Sequence, residues 1–191
     1  MDADFSIELG RDDPALDFPW ADPDGRVAYY DLKRNPNNLA LVVETQELSE
    51  LADLLRSVNS AASIFESAKC DAWSTSELTA EDEIFGAALK SVSYVDLVFT
   101  DPEQRTSFAQ HEHFAKRLVE LLRRAPEIPA IIEICVRRCF FTENSDTIDG
   151  YYFTVYVSGY GDDQTRARQN WGIALKLTGN AMLQLSATGL V

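Results

Sequence analysis

A chain of 191 residues, 46% hydrophobic and 25% charged, is long enough to bury a sizeable core without disulfide or metal staples, and too apolar to remain disordered. Its net charge of −14 repels phosphate backbones and anionic lipid headgroups, so nucleic acid and membrane surfaces are not expected as partners, and a protein with a basic surface is the partner that charge favours. The opening MDADFSIELG lacks a basic segment followed by an apolar one, no apolar run approaches the roughly 18 residues of a membrane span, and an odd set of three cysteines suits reduced thiols; together these give the expectation of a cytoplasmic protein.

Residues 4–9 read as a strand. The stretch RDDPALDFPWADPDGR at 11–26 is dense in Asp, Pro and Gly and reads as an ordered arm, carrying Leu16, Phe18 and Trp20, which need something to pack against. Strand-like stretches follow at 27–32 and 39–43, with NPNN at 35–38 as the turn between them. Over 45–58, Leu48, Leu51, Leu55 and Val58 make one apolar stripe, predicting a helix that Thr45 can cap. A strand at 61–73, a polar loop at 74–84 and a strand within 87–99 come next.

Asp101-Pro102-Glu103-Gln104 joins a capping side chain to a proline at the first helical position, which sets the start of a second helix. Its apolar side holds Phe108, His111, Ala115, Leu118, Leu122 and Ala125, and Pro126 and Pro129 end it. AIIEICVRRCFF at 130–141 and YYFTVYVSGYG at 151–161 are strands, and Asp162 or Asp163 caps a last helix to about residue 187. The expected fold is therefore α+β in one domain over 1–191: two layers, a mainly antiparallel sheet of about six strands with three helices on one face, in the order ββ-α-ββ-α-ββ-α.

The windows LADLLRSVNSAASIFE at 51–66 and LVELLRRAPEIPAIIE at 118–133 agree without a gap at Leu51/Leu118, Leu54/Leu121, Leu55/Leu122, Arg56/Arg123, Ile64/Ile131 and Glu66/Glu133. That suggests an internal duplication, with units 45–100 and 101–161; a leucine-rich helix running into a strand would produce the same agreement without common descent.

Both faces of the later strands are rich in apolar residues, whereas a half-solvated strand shows one polar face. Three helices cover one face only. The other needs the arm, a second copy of the chain or a ligand, and this defines the candidate site: Tyr152, Tyr156 and Tyr160 on one face of their strand, Arg137 and Glu133 on the neighbouring one, and Phe18 and Trp20 from the arm. The functional expectation is a binding or interaction protein, self-associating as a homodimer through this open face; the alternative is an enzyme or small-molecule binder with a pocket between sheet and arm, lined by Tyr152, Tyr156, Arg137 and Glu133.

Glu66 and Glu133 are the carboxylates most exposed to desolvation in the pattern, with Arg137 and Arg138 available to answer them. No metal is expected: His111 and His113 in HEH point about 200° apart on a helix, and Asp22-Pro23-Asp24-Gly25 has only part of the acidic pattern of a calcium loop. Cys135 and Cys139 stand roughly 13 Å apart on a strand, too far for a disulfide. Cys70 has no base at a telling spacing, and no Gly-rich phosphate loop or paired-cysteine zinc motif occurs, so no cofactor is expected.

Overall fold

The computed structural model describes residues 1–22, 24, 29–80, 82–143 and 146–189. In chain order these form β1 (Asp2–Glu8), β2 (Ala15–Phe18), a 3-10 helix (Pro36–Leu41), α1 (Glu44–Glu47), α2 (Ser49–Val58) and β3 (Phe65–Thr75). A second 3-10 turn (Asp82–Phe85), β4 (Leu89–Phe99), α3 (Pro102–Thr106), α4 (Phe108–Leu122), β5 (Ala130–Glu143), β6 (Asp146–Gly161) and α5 (Gln164–Ala187) follow.

The six strands make one open sheet in the order β1-β5-β6-β4-β3, with β2 continuing along the same edge of β5 as β1. The sheet is mixed, not mainly antiparallel as expected. β5–β6, β6–β4 and β4–β3 are antiparallel, but β1 and β2 run parallel to β5. Only two residues separate Glu143 from Asp146, which forces β5–β6 into a hairpin, whereas β1 and β2 come from the far end of the sequence, so no turn dictates their direction.

The second strand of the chain is β2 in the arm, not 27–32 or 39–43. Pro36 opens a 3-10 helix through the second of those stretches, and residues 27 and 28 of the first lie outside the described residues, as do Pro23 and Gly25 of the expected Asp22–Gly25 turn. The helices also outnumber the three expected. The one predicted over 45–58 breaks at Leu48 into α1 and α2, and the one starting after Asp101 breaks at Ser107 into α3 and α4. Ser107 is extended, and its hydroxyl accepts from Gln110 N, restarting the helix. Thr45 lies inside α1 and donates to Leu39 O and Val42 O in place of capping. Asp101 and Asp163 do cap their helices, accepting from Glu103 N and Gln104 N and from Arg166 N.

The long helices α2, α4 and α5 share one face of the sheet. Their core takes the even positions Ala130–Val136 of β5, the odd positions Phe153–Val157 of β6 and Val95, Leu97 and Phe99 of β4. The period of two along each strand selects these residues. α5 lies against β6 so closely that a Cβ on Gly159 would come 2.0 Å from Trp171 N. The indole this seats is buried and donates to Ser93 Oγ at 2.9 Å.

Candidate interaction face of the sheet

Opposite the helices, the same alternation and the strand register build a grid. Its lower rows hold Cys139 and Phe141 on β5, Tyr152 on β6 and Val98 on β4. Here the arm closes the face. Leu16 and Phe18 pair in register with Cys139 and Phe141, and the Phe18 ring meets Tyr29 at 4.9 Å and Phe141 at 5.8 Å between centroids. Phe18 and Tyr152 are buried in this second core, and burial pushes the Tyr152 phenol up to about 12. Around Phe18 the space between arm and sheet is filled by these side chains, whereas beside Trp20 a cleft of about 400 Å³ opens against Ala68, Lys69 and Tyr94.

The arm is also tied by charge. Glu66 accepts from Arg105 Nη2 at 2.5 Å and from Tyr29 Oη at 2.9 Å, while the Arg105 guanidinium lies 5.0 Å from the Phe141 ring. The cation answering Glu66 is thus Arg105, not Arg137 or Arg138. Arg137 pairs with Glu8 at 2.7 Å, and Arg138 donates to Gly10 O. Glu133, its counterpart in the repeated windows, is exposed.

The upper end is closed by the loop between β3 and β4. Asp82 accepts from Tyr160 Oη at 2.5 Å, Lys90 Nζ at 2.7 Å and Thr79 N at 2.6 Å, and the Phe85 ring stacks on Tyr160 at 4.6 Å. Burial works against the Asp82 charge, but the donors from Lys90, Thr79 and Tyr160 outweigh it and bring the carboxyl down to about 2. Tyr160 is therefore sealed, as Tyr152 is.

Between these closures two rows have no element laid over them, although Val92 within them is buried. One runs Asp2–Ile131–Ser158–Val92–Trp73 and the next Asp4–Glu133–Tyr156–Tyr94–Asp71. Trp73, Tyr94 and Tyr156 form an aromatic diagonal, with centroids 6.5 and 5.9 Å apart. The charged residues of these rows, Asp2, Asp4, Glu133 and Asp71, are all acidic and all exposed. Asp4 has Arg123 at 3.7 Å at the sheet margin.

Beneath lies a polar row. Arg137 donates to Thr154 Oγ1 at 2.9 Å and to Tyr156 Oη at 3.3 Å, and Thr154 donates to Asp96 Oδ1 at 2.7 Å. Burial lifts the Asp96 carboxyl to about 6 despite Thr154, Lys69 and Arg137. Lys69 sits 5.0 Å over the Trp20 ring at the tip of the arm. This network fixes the Tyr156 ring from below, so its upper part is presented by a rigid support.

Of the seven residues singled out from sequence, Tyr156, Glu133, Arg137 and Trp20 belong to the uncovered region or its floor, while Phe18, Tyr152 and Tyr160 are absorbed by the closures. Trp73, Tyr94 and Asp96 were missed. The available signal was Asp96 itself, the one charged residue among 91–99.

His111 is buried against Phe99, Phe153 and Tyr151, and burial lowers it to about 4; His113 is exposed on the other side of α4. No cluster of metal-ligating side chains occurs among the described residues. The three cysteines are unpaired, and burial raises Cys70 to about 12, which removes its thiolate at neutral pH. Among the described residues no helix is long and apolar enough to cross a membrane. Comparison with family models, with curated proteins and with solved structures gave no match.

Proposed function

We propose that this protein works by binding, and that the uncovered rows of its sheet are the surface it offers to a basic protein partner. The observation that carries the reading is the arrangement of Trp73, Tyr94 and Tyr156 inside a frame of Asp2, Asp4, Glu133 and Asp71. Aromatic rings supply contact area at low entropic cost and attract cations over their faces, and surrounding carboxylates steer those cations inward.

Two copies meeting through this face would set the same carboxylates against each other. Self-association through these rows is therefore the weaker reading, and a homodimer would use another surface.

Calorimetric titration with an oligolysine peptide tests the proposal. Glu133→Lys reduces the salt dependence and the affinity, while Tyr156→Ala weakens binding even where salt has screened the charges. Equal affinities for wild type and Tyr156→Ala at every salt concentration would show attraction to net charge alone and remove the proposal.

A further inference from the structure

We propose that the free edge of β3 is a strand-addition site, at which an extended segment of a basic protein partner pairs its main chain with residues 70–74. The basic character of the partner rests on the reading just given; the edge is a main-chain site at the rim of that face and shares Trp73 and Asp71 with it.

β3 ends the sheet, and its pairing with β4 runs from Phe65↔Phe99 to Thr75↔Lys90 through a bulge between Ser67 and Lys69. Thr100 N donates to Ile64 O at 2.8 Å, so residue 64 turns its main chain toward β4 and residue 65 turns outward. Carried through the bulge, the alternation turns Cys70, Ala72 and Ser74 outward.

The two halves of this edge are treated differently. In the lower half Lys33 Nζ donates to Ser60 O, Ser63 O and Phe65 O, and Asn59 Oδ1 accepts from Ser67 N. Side chains thus blunt it, as sheet edges usually are blunted. In the upper half Ala72 N donates to the exposed Asp71 carboxylate beside it, and among the described residues nothing pairs with the outward main chain of Cys70 or Ser74.

This unblunted half lies along a trough. A cleft of about 400 Å³ borders Ser67–Asp71, a second of about 420 Å³ borders Ala72–Ser74, and Val43 and Glu44 line both. Leu41, Val43 and Trp73 are exposed there at 53%, 71% and 44%. An added strand of about seven residues spans it.

Charge selects the occupant. Glu44, Glu47 and Asp71 face the trough; Lys69 is held over Trp20, and Arg168 is engaged by Glu50 at 2.8 Å. The fitting segment alternates apolar residues, which meet Leu41, Val43 and Trp73, with Lys or Arg. Strand addition takes affinity from the main chain and specificity from such alternate pockets. A second copy of this chain would bring Asp71 and Glu44 toward their equivalents, so the occupant is foreign.

The test uses the full chain and a labelled eight-residue peptide alternating Lys and Val. Three results are expected: saturable binding, slowed exchange of the Cys70 and Ser74 amide hydrogens, and a loss of about tenfold when alternate peptide nitrogens are methylated, since each methyl removes a main-chain donor. A Glu–Val peptide does not bind. Ala72→Pro abolishes addition, and proline is tolerated where an edge N–H faces outward. Val43→Lys, at a position too exposed to affect folding, repels the same peptide.

Absent binding, methylated peptide binding as well as unmethylated, or Ala72→Pro and Val43→Lys both binding like wild type would each overturn the proposal. So would a dimer that Ala72→Pro dissolves, because the occupant would then be a second copy. Oligolysine binding lost in Tyr156→Ala but kept in Ala72→Pro, with no Lys–Val addition, would sink the edge site and leave the face; the converse pattern would sink the face and leave the edge.

Discussion

The two faces of the sheet are built from comparably apolar strands, yet one is closed except along its β3 edge and the other only at its ends. On the helix side α5 is laid directly onto β6 at Gly159, and α2 and α4 flank it. On the opposite side a short arm and a loop cover the two extremes, and Trp73, Tyr94 and Tyr156 are left between them. The composition of a face therefore does not decide whether it is sealed; the reach of the elements laid over it does. Where cover ends, the rings are held from beneath instead, by an Arg137–Thr154–Asp96 network.

Disturbing the closed face has the largest effect. Gly159→Ala drives a methyl into the α5 backbone and costs about 3 kcal/mol or more, read as a lower urea midpoint. A near-wild-type midpoint would mean that α5 is not seated as described.

Acid separates the faces next, because each buries a group whose proton uptake between pH 6.5 and 4 has the opposite effect. His111, on the helix side, is lowered from the ordinary 6.5 to about 4. The unfolded chain therefore binds its proton first, and stability is lost as pH falls from about 6.5 to 4. Asp96, on the open side, is raised from 3.8 to about 6; the folded chain binds its proton first, and stability is gained as pH falls from about 6 to 4. Each is worth up to about 3 kcal/mol, so they largely cancel. Relative to wild type, Asp96→Asn loses stability more steeply on acidification between pH 6 and 4, and His111→Leu less steeply. Parallel pH profiles for all three proteins would contradict these assignments.

Within the open side, Phe18→Ala empties the arm-covered core and costs about 3 kcal/mol, with faster proteolysis of the arm. Tyr156→Ala, at a half-buried ring in the uncovered rows, costs less, about 1 kcal/mol. Equal costs for the two would erase the distinction between covered and bare halves.

Much of this architecture was legible in the sequence because it depends on local periodicity and capping. The Asp101 and Asp163 caps, the inward His111 and the alternation of β5 and β6 are all short-range consequences of residue type. The errors lie where distant contacts decide. Leu39–Val43 has strand composition but is captured by a helical turn that Pro36 starts, and the parallel docking of β1 depends on an edge of β5 supplied from the other end of the chain. Tyr152, Tyr156 and Tyr160 alternate alike in the sequence, and only the arm and the Asp82 loop separate the sealed pair from the half-buried one. Asp82 and Lys90, eight residues apart, gave no periodic signal because a loop joins them.

The most direct test is nuclear magnetic resonance mapping of an oligolysine titration. The account predicts that shift changes concentrate on the Trp73 indole, the Tyr94 and Tyr156 rings and the amides of Glu133 and Asp71, with Tyr152 and Tyr160 unmoved. Changes scattered over acidic positions of α2 and α4, with the aromatic diagonal silent, would contradict it.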